Sequence, residues 1–241
     1  MTTPARETVL HAENLSRVYG EGNMRVEALK PTSFAARAGE VMAILGPSGS
    51  GKSTLLTILG LINPPTTGSL RIGNVQVIEN GQPRTSLERQ RRQQIGFVFQ
   101  RSNLIPFLTA HENVRLSLEL DGVSSSESRG RARAMLENLG LGKRLDSLPA
   151  RLSGGEAQRV AIARALIHQP SVVLADEPTA SLDSGRGRQV MELFRDAAHS
   201  QGAAVLVVTH DHRTLDLVDR ILEMEDGTLT ERASAGTGAH T

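Results

Sequence analysis

With 241 residues, 39% hydrophobic and 22% charged, the chain can bury a substantial core and has the balance of an ordinary globular fold. A formal net charge of +1 offers no overall attraction for a polyanion, and zero cysteines exclude disulfides and thiolate metal sites, which fits a reducing compartment. No apolar run approaches the roughly 18 residues that cross a bilayer, and "MTTPARETVLHAENL" lacks the apolar stretch of a secretory signal.

The first forty residues read as short strands and turns, with "YGEGN" as a hairpin tip. "VMAIL", from Val41 to Leu45, is an apolar run of the length of a buried strand, and "KSTLLTILG" has helical character ending at Gly60. "NPPTTG" is a turn, after which "SLRI" and "VQVI" read as strands around a Gly-Asn turn. From Ala110 to about His168 the pattern is helical, broken by Ser-rich and Gly-rich stretches at 123–128 and 140–142. "VVLAD" and "AVLVVTH" follow as buried strands, with a helix near 186–198 between them. This alternation predicts an α/β fold with a mostly parallel sheet covered on both faces, an N-terminal antiparallel β part and an inserted α-helical subdomain at about 106–168. One domain is expected over 1–232, with 233–241, "ASAGTGAHT", as a disordered tail.

Between strand and helix lies Gly46-Pro47-Ser48-Gly49-Ser50-Gly51-Lys52-Ser53, followed by Thr54, a full match to G-x-x-x-x-G-K-[ST]. Glycines let backbone N–H groups turn inward around phosphates, and the next helix adds its positive end. Lys52 is expected to reach the β- and γ-phosphates, and the Ser53 hydroxyl to bind Mg²⁺. "SVVLADEPTASLDS" delivers Asp176 and Glu177 at the end of an apolar strand, where ligands gather in α/β sheets. Asp176 is read as an Mg²⁺ ligand through water, and Glu177 as the general base for the water that attacks the γ-phosphate. His210, at the tip of "VLVVTH", is placed to bond the γ-phosphate, whereas His212 reads as surface. Gln100, ending "IGFVFQ", is a third polar group at a strand tip, suited to Mg²⁺ or the attacking water. Tyr19, the single tyrosine, is a candidate platform for an adenine ring, against the alternative of a half-buried strand tyrosine.

A second anion site is written in "RLSGGEAQRVAIARAL". Ser153 and Glu156 form an S-x-x-E capping box, and Gly154 and Gly155 leave the helix N-terminus bare for a phosphate. The intervening helical insert is expected to turn this site outward, toward the nucleotide of a second copy. Two head-to-tail copies would then sandwich two ATP molecules.

These residues resemble the ATP-binding cassette subunit of ABC transporters, a P-loop NTPase. The matching pieces are "GPSGSGKST", "FVFQ", "LSGGEAQR", "VVLADEP", "SLD" and "VTHD", in family order from Tyr19 to about Gly227. The resemblance implies the nucleotide sandwich, Glu177 as catalytic base, Asp183 at the dimer seam, and Gln100 marking the groove where an integral-membrane permease docks. It implies also that "RSNLIPFLTAHENV" supplies apolar surface for that contact, at the cytoplasmic face of the inner membrane. "FVFQRSNLIPFLTAHENV" and "ADEPTASLDS" are similar to the macrolide-exporter and lipoprotein-release branch, and "VTHDHRTLDLVDRILEMEDG" to the heterocyst-glycolipid exporter ATPases. These groups imply export or extraction of a lipid-like or amphiphilic substrate. Glu156 departs from the Gln that many of this branch carry, and the capping box accepts either.

Two rival classes share the same catalytic residues. Nucleic-acid-associated cassettes carry cysteine-built zinc modules or two cassettes in one chain, and neither is present, so no nucleic-acid partner is expected. Regulatory cassettes signal through a membrane partner to cell-wall hydrolases without transport. The partner separates them: a permease with a periplasmic adaptor and outer-membrane channel means export, and a hydrolase activator means signalling.

Overall fold

The computed structural model describes residues 6–232 apart from 181. The tail expected at 233–241 lies outside the described residues. Strands β1 (Thr8–Tyr19) and β2 (Val26–Arg37) form a hairpin around the expected tip, and β3 (Val41–Leu45) starts a second sheet. After helix α1 (Lys52–Leu59), strands β4 (Thr67–Ile72), β5 (Val75–Glu79) and β6 (Gln82–Pro83) complete the first sheet in the order β2-β1-β4-β5-β6. The hairpin strands are twelve residues each rather than short. Register shifts at Ala12/Leu15 and Arg17/Val18 are the reason. Each bulge breaks the period-two pattern in the sequence while pairing continues past it.

Helix α2 (Leu87–Gln94) carries the basic run "RQRRQQ" as a helix without buried residues, and β7 (Ile95–Val98) follows. Next come three helices, α3 (Ala110–Leu120), α4 (Ser125–Asn138) and α5 (Gly154–Leu166). The break expected at 123–128 is shorter than its composition suggests. Ser124 is an N-cap whose hydroxyl accepts the Glu127 N–H, so Ser125 and the residues after it are already helical. The remaining elements are β8 (Val172–Asp176), α6 (Ser184–Gln201), β9 (Ala204–Val208) and a terminal hairpin, β10 (Arg220–Glu225) with β11 (Thr228–Glu231), which the sequence reading missed.

The second sheet runs β11-β10-β3-β9-β8-β7, parallel throughout except for its β10–β11 edge. Its central strands are buried on both faces, which is why they read as unbroken apolar runs. Met42, Ile44, Leu174 and Leu206 point toward α1 and the antiparallel sheet. Their neighbours Val41, Val173, Val205 and Val207 point the other way, onto α5 and α6. A third cluster, with Val114, Leu118, Leu136 and Val160, is the private core of the helical subdomain. Helix α5 belongs to both: Ile162 and Leu166 pack on the sheet, Val160 and Ala163 on the subdomain.

Asn113 on α3 is fully buried. Its amide donates to the carbonyls of Ile105, Leu108 and Thr109 while its oxygen accepts the Ile105 N–H. One side chain thus meets backbone groups of Ile105, Leu108 and Thr109 in the segment after Gln100. Asn113→Ala would remove the partner of the Ile105 N–H and the Leu108 carbonyl and is expected to lower stability by roughly 1–3 kcal/mol in urea unfolding.

Candidate nucleotide site

The glycine-rich loop leaves β3 and enters α1 with Gly51 as its N-cap in the left-handed region, φ 108°. A Cβ at Gly51 would collide with the Ala28 carbonyl, and one at Gly46 with the Met224 carbonyl. Gly49, φ 81°, has open space around it and is needed for its backbone conformation alone. Neighbouring chain also fastens the loop from below: the Gly227 N–H donates to the Ser50 carbonyl at 2.9 Å. Ser50 is itself buried, whereas Gly46, Pro47, Ser48, Gly49, Gly51, Lys52, Ser53 and Thr54 line an open cavity of about 550 Å³. The Lys52 ammonium donates to the carbonyls of Gly46 and Pro47, both at 2.7 Å, and so stands over the cradle.

Strand register brings the other groups to this cavity. Ile44 on β3 is level with Val208 on β9, Val208 with Asp176 on β8, and Ala175 with Val98 on β7. Parallel strands therefore end side by side, and Gln100, Asp176, Glu177 and His210 all line the cavity opposite the loop. Ala28 lines it too, a residue with no sequence signal, because its role is to bring its backbone against Gly51.

Glu177 sits just past β8 at φ 46°, an uncommon conformation for a side-chain-bearing residue, held by its N–H donating to the Val208 carbonyl at 2.9 Å. The turn aims its carboxylate at His210, whose Nδ1–H donates to Oε1 at 2.8 Å. A carboxylate only accepts, so this bond sets the imidazole tautomer. The other oxygen, Oε2, is buried without a hydrogen-bond partner. His210 is largely exposed, 71% against 16% for Glu177.

Burial pushes the Asp176 carboxyl up from its ordinary range, the Glu177 charge pushes the same way, and Lys52 opposes both. A cation beside Asp176 would relieve that repulsion. The nearby donors are the Ser53 hydroxyl, the Gln100 amide oxygen and this carboxylate, all hard oxygens of the kind Mg²⁺ takes. Among the described residues no cluster of three His, Cys, Asp or Glu side chains exists that would suit a softer metal.

Other sequence-predicted residues lie apart. Tyr19 ends β1 with 39% of its surface exposed and is absent from the cavity lining. Ser153 caps α5 in a complete capping box: its hydroxyl accepts the Glu156 N–H, and the Glu156 carboxylate accepts the Ser153 N–H at 2.8 Å. That bond, with an added one from Arg144, holds the Glu156 carboxyl down at about 2. Asp183 caps α6, accepting the Arg186 N–H. None of Ser153, Gly154, Gly155, Glu156 or Asp183 lines the phosphate cavity of its own chain.

Residues 29–180 match the family model described as ABC transporter. The chain belongs to the ABC transporter family. The cassette is 44% identical, over 94% of its length and 99% of the relative's, to the lipoprotein-releasing system ATP-binding protein LolD of Legionella pneumophila (strain Paris). It is 43% identical to the macrolide export ATP-binding/permease protein MacB 1 of Aeromonas hydrophila, matching 92% of this chain and 34% of that longer protein. These relatives fall in the branch that the motifs resemble. Among solved structures, the ATP-binding cassette MJ0796, described as a dimeric post-hydrolysis state bound to ADP and Pi, is 40% identical with a TM-score of 0.81, covering 92% of this chain and 98% of that one. The cassette is thus an α/β ATPase subunit whose chemistry is ATP hydrolysis. Lys52→Ala is expected to lower ATP turnover at least about a hundredfold, measured by phosphate release, and Gly51→Ala, which sets a methyl against the Ala28 carbonyl, to weaken nucleotide binding as well.

Proposed function

We propose that this ATPase works, with Mg²⁺, at the seam of a head-to-tail homodimer and drives a membrane permease that exports or extracts a lipid-like or amphiphilic substrate. The observation that carries the dimer is a pair of glycines the fold does not need. At Gly154 a Cβ would meet nothing within 4 Å, and at Gly155 its closest contact would be 3.6 Å, from the flexible Arg186 side chain. Neither has a positive φ. Gly154 is exposed and Gly155 buried; the exposure of Gly154 serves something outside the chain, and a helix N-terminus attracts an anion. A second copy's γ-phosphate is the anion that the motif order supplies, and Asp183 lies at the same seam. Dimeric cassettes among the similar structures support this reading.

Within each half, Ser53, Gln100 and Asp176 would hold Mg²⁺, which supplies charge neutralisation for the phosphates. Glu177 accepts a proton from the attacking water, and His210 steadies its carboxylate through Oε1. Lys52 moves from the loop carbonyls onto the β- and γ-phosphates. Tyr19 stacks on the adenine.

For the permease, the segment after Gln100 presents Phe107, 78% exposed. A groove of about 280 Å³ has a lining that includes Phe97, Leu120, Arg91 and Arg164. Among the described residues no helix is long and apolar enough to cross a membrane. Attachment to the inner membrane's cytoplasmic side would come through that docking. The names of the relatives point to lipoprotein release or macrolide export as the kind of work done.

Glu177→Gln is expected to bind ATP, hydrolyse it at least about a hundredfold more slowly and elute as an ATP-dependent dimer in size-exclusion chromatography with light scattering. Adding Gly154→Asp to it places an anion at the first turn of α5, which favours the helix itself but repels a phosphate. The double variant should stay folded, bind ATP and remain monomeric; an undiminished dimer would refute the sandwich. Tagged protein taken from its own membranes in mild detergent should bring down a permease with a large extracytoplasmic part, and recovery of soluble proteins alone would overturn the transport reading.

A further inference from the structure

Arg17 lies two residues before Tyr19 on β1, on the same side of the strand. Its guanidinium carbon is 4.7 Å from the centroid of the Tyr19 ring, a cation–π stack. The group is held from its other end, with Nη1 donating to the Pro64 carbonyl at 2.7 Å. Its Nε is buried without a hydrogen-bond partner, so the ring face and that carbonyl are what fix it. The strand around it is sewn to the same turn. The Val18 N–H donates to the Thr66 hydroxyl at 3.0 Å, and the Thr66 N–H to the Ser16 carbonyl at 2.7 Å. That turn follows α1, the helix that begins at Lys52.

We propose that Arg17 is a positioning residue for the nucleotide base: it backs one face of the Tyr19 ring and leaves the other face presented to adenine. The inference rests on the reading of Tyr19 as the base platform and adds to it what holds that platform in place. An exposed ring at a hairpin tip has free rotation about its side-chain bonds, and ordering it on binding carries an entropic cost. The guanidinium stack removes that freedom beforehand. A cation on one face also draws electron density away from the other, which favours stacking against an electron-rich base. Because Arg17 is tied to the turn after α1, the ring is also held in fixed relation to the helix whose N-terminus cradles the phosphates.

The chain offers a direct probe, since Tyr19 is its single tyrosine and there is no tryptophan. Intrinsic emission of the full-length protein therefore reports Tyr19 alone. The experiment titrates ADP and, separately, pyrophosphate, which share the diphosphate and differ in the adenosine. Emission is corrected for nucleotide absorbance, and pyrophosphate is followed by calorimetry. In the wild type ADP should change Tyr19 emission and pyrophosphate should leave it unchanged. Arg17→Met keeps an apolar stem and removes the cation. It should weaken ADP about two- to fivefold, the range of an exposed cation–π contact, with pyrophosphate affinity unchanged and partial rescue in Arg17→Lys. Equal loss for both ligands would mean that Arg17 only braces the turn after α1, and unchanged or tighter ADP binding would show that it does nothing for the base or occupies the base's place. Either result overturns the proposal. If ADP binds the wild type with no change in Tyr19 emission, the platform reading itself fails, and the Arg17 inference with it.

Discussion

Parallel pairing of strands buried on both faces is the constraint on which this molecule depends. Four of the five parallel strands, β3, β9, β8 and β7, stop level with one another, so the residues just past their ends have nowhere to go but a common edge. Phosphate loop, acidic pair, His210 and Gln100 all emerge there. Their chemistry depends on a register that Met42, Val173, Leu206 and their neighbours maintain by filling two cores at once. A slip in that register would displace each group relative to the others.

Two connections transmit this edge to the rest of the chain. One is α5, whose first residue Gly154 is exposed while its far end packs on the sheet. From that helix Arg164 donates to the carbonyls of Ser102 and Asn103, just beyond Gln100. Half-buried and short of water, the Arg164 guanidinium has its pKa lowered, and its hydrogen bonds go to backbone rather than to a carboxylate. The proposed partner-facing site and the Gln100 segment are thus mechanically joined. The other connection is the terminal hairpin. Its Gly227 supports Ser50 from beneath, and Arg220 ties it to Glu40 while pairing with Glu231 inside the hairpin.

How much of this could be read beforehand follows from the range of each interaction. Lys52 and Ser53 were legible because the phosphate cradle is made by consecutive residues whose order is its geometry. The capping box at Ser153 and Glu156 is likewise local, and its two bonds are present as the spacing requires. Long strands in the first sheet were not legible, since bulges disrupt the alternation by which strands are recognised. Nor was the terminal hairpin's place under the phosphate loop. Arg220 meets the Ala35 carbonyl from 185 positions away, and no local pattern encodes such a pairing.

By itself the sequence determined the chemistry, because types of residue at fixed short spacings decide which backbone N–H groups, carboxylates and hydroxyls can meet a phosphate. It determined also the fold class, through apolar runs whose lengths suit strands covered on both sides. The tertiary structure decided what those groups do for one another. Glu177 bonds His210 through one oxygen and keeps the other buried without a partner, burial and the Glu177 charge raise the pKa of Asp176 beside it, and Gly154 is bare with nothing in its own chain to require it. Such facts arise from burial and from distances across the fold, which residues far apart in the chain acquire only when strand register and helix packing bring them together.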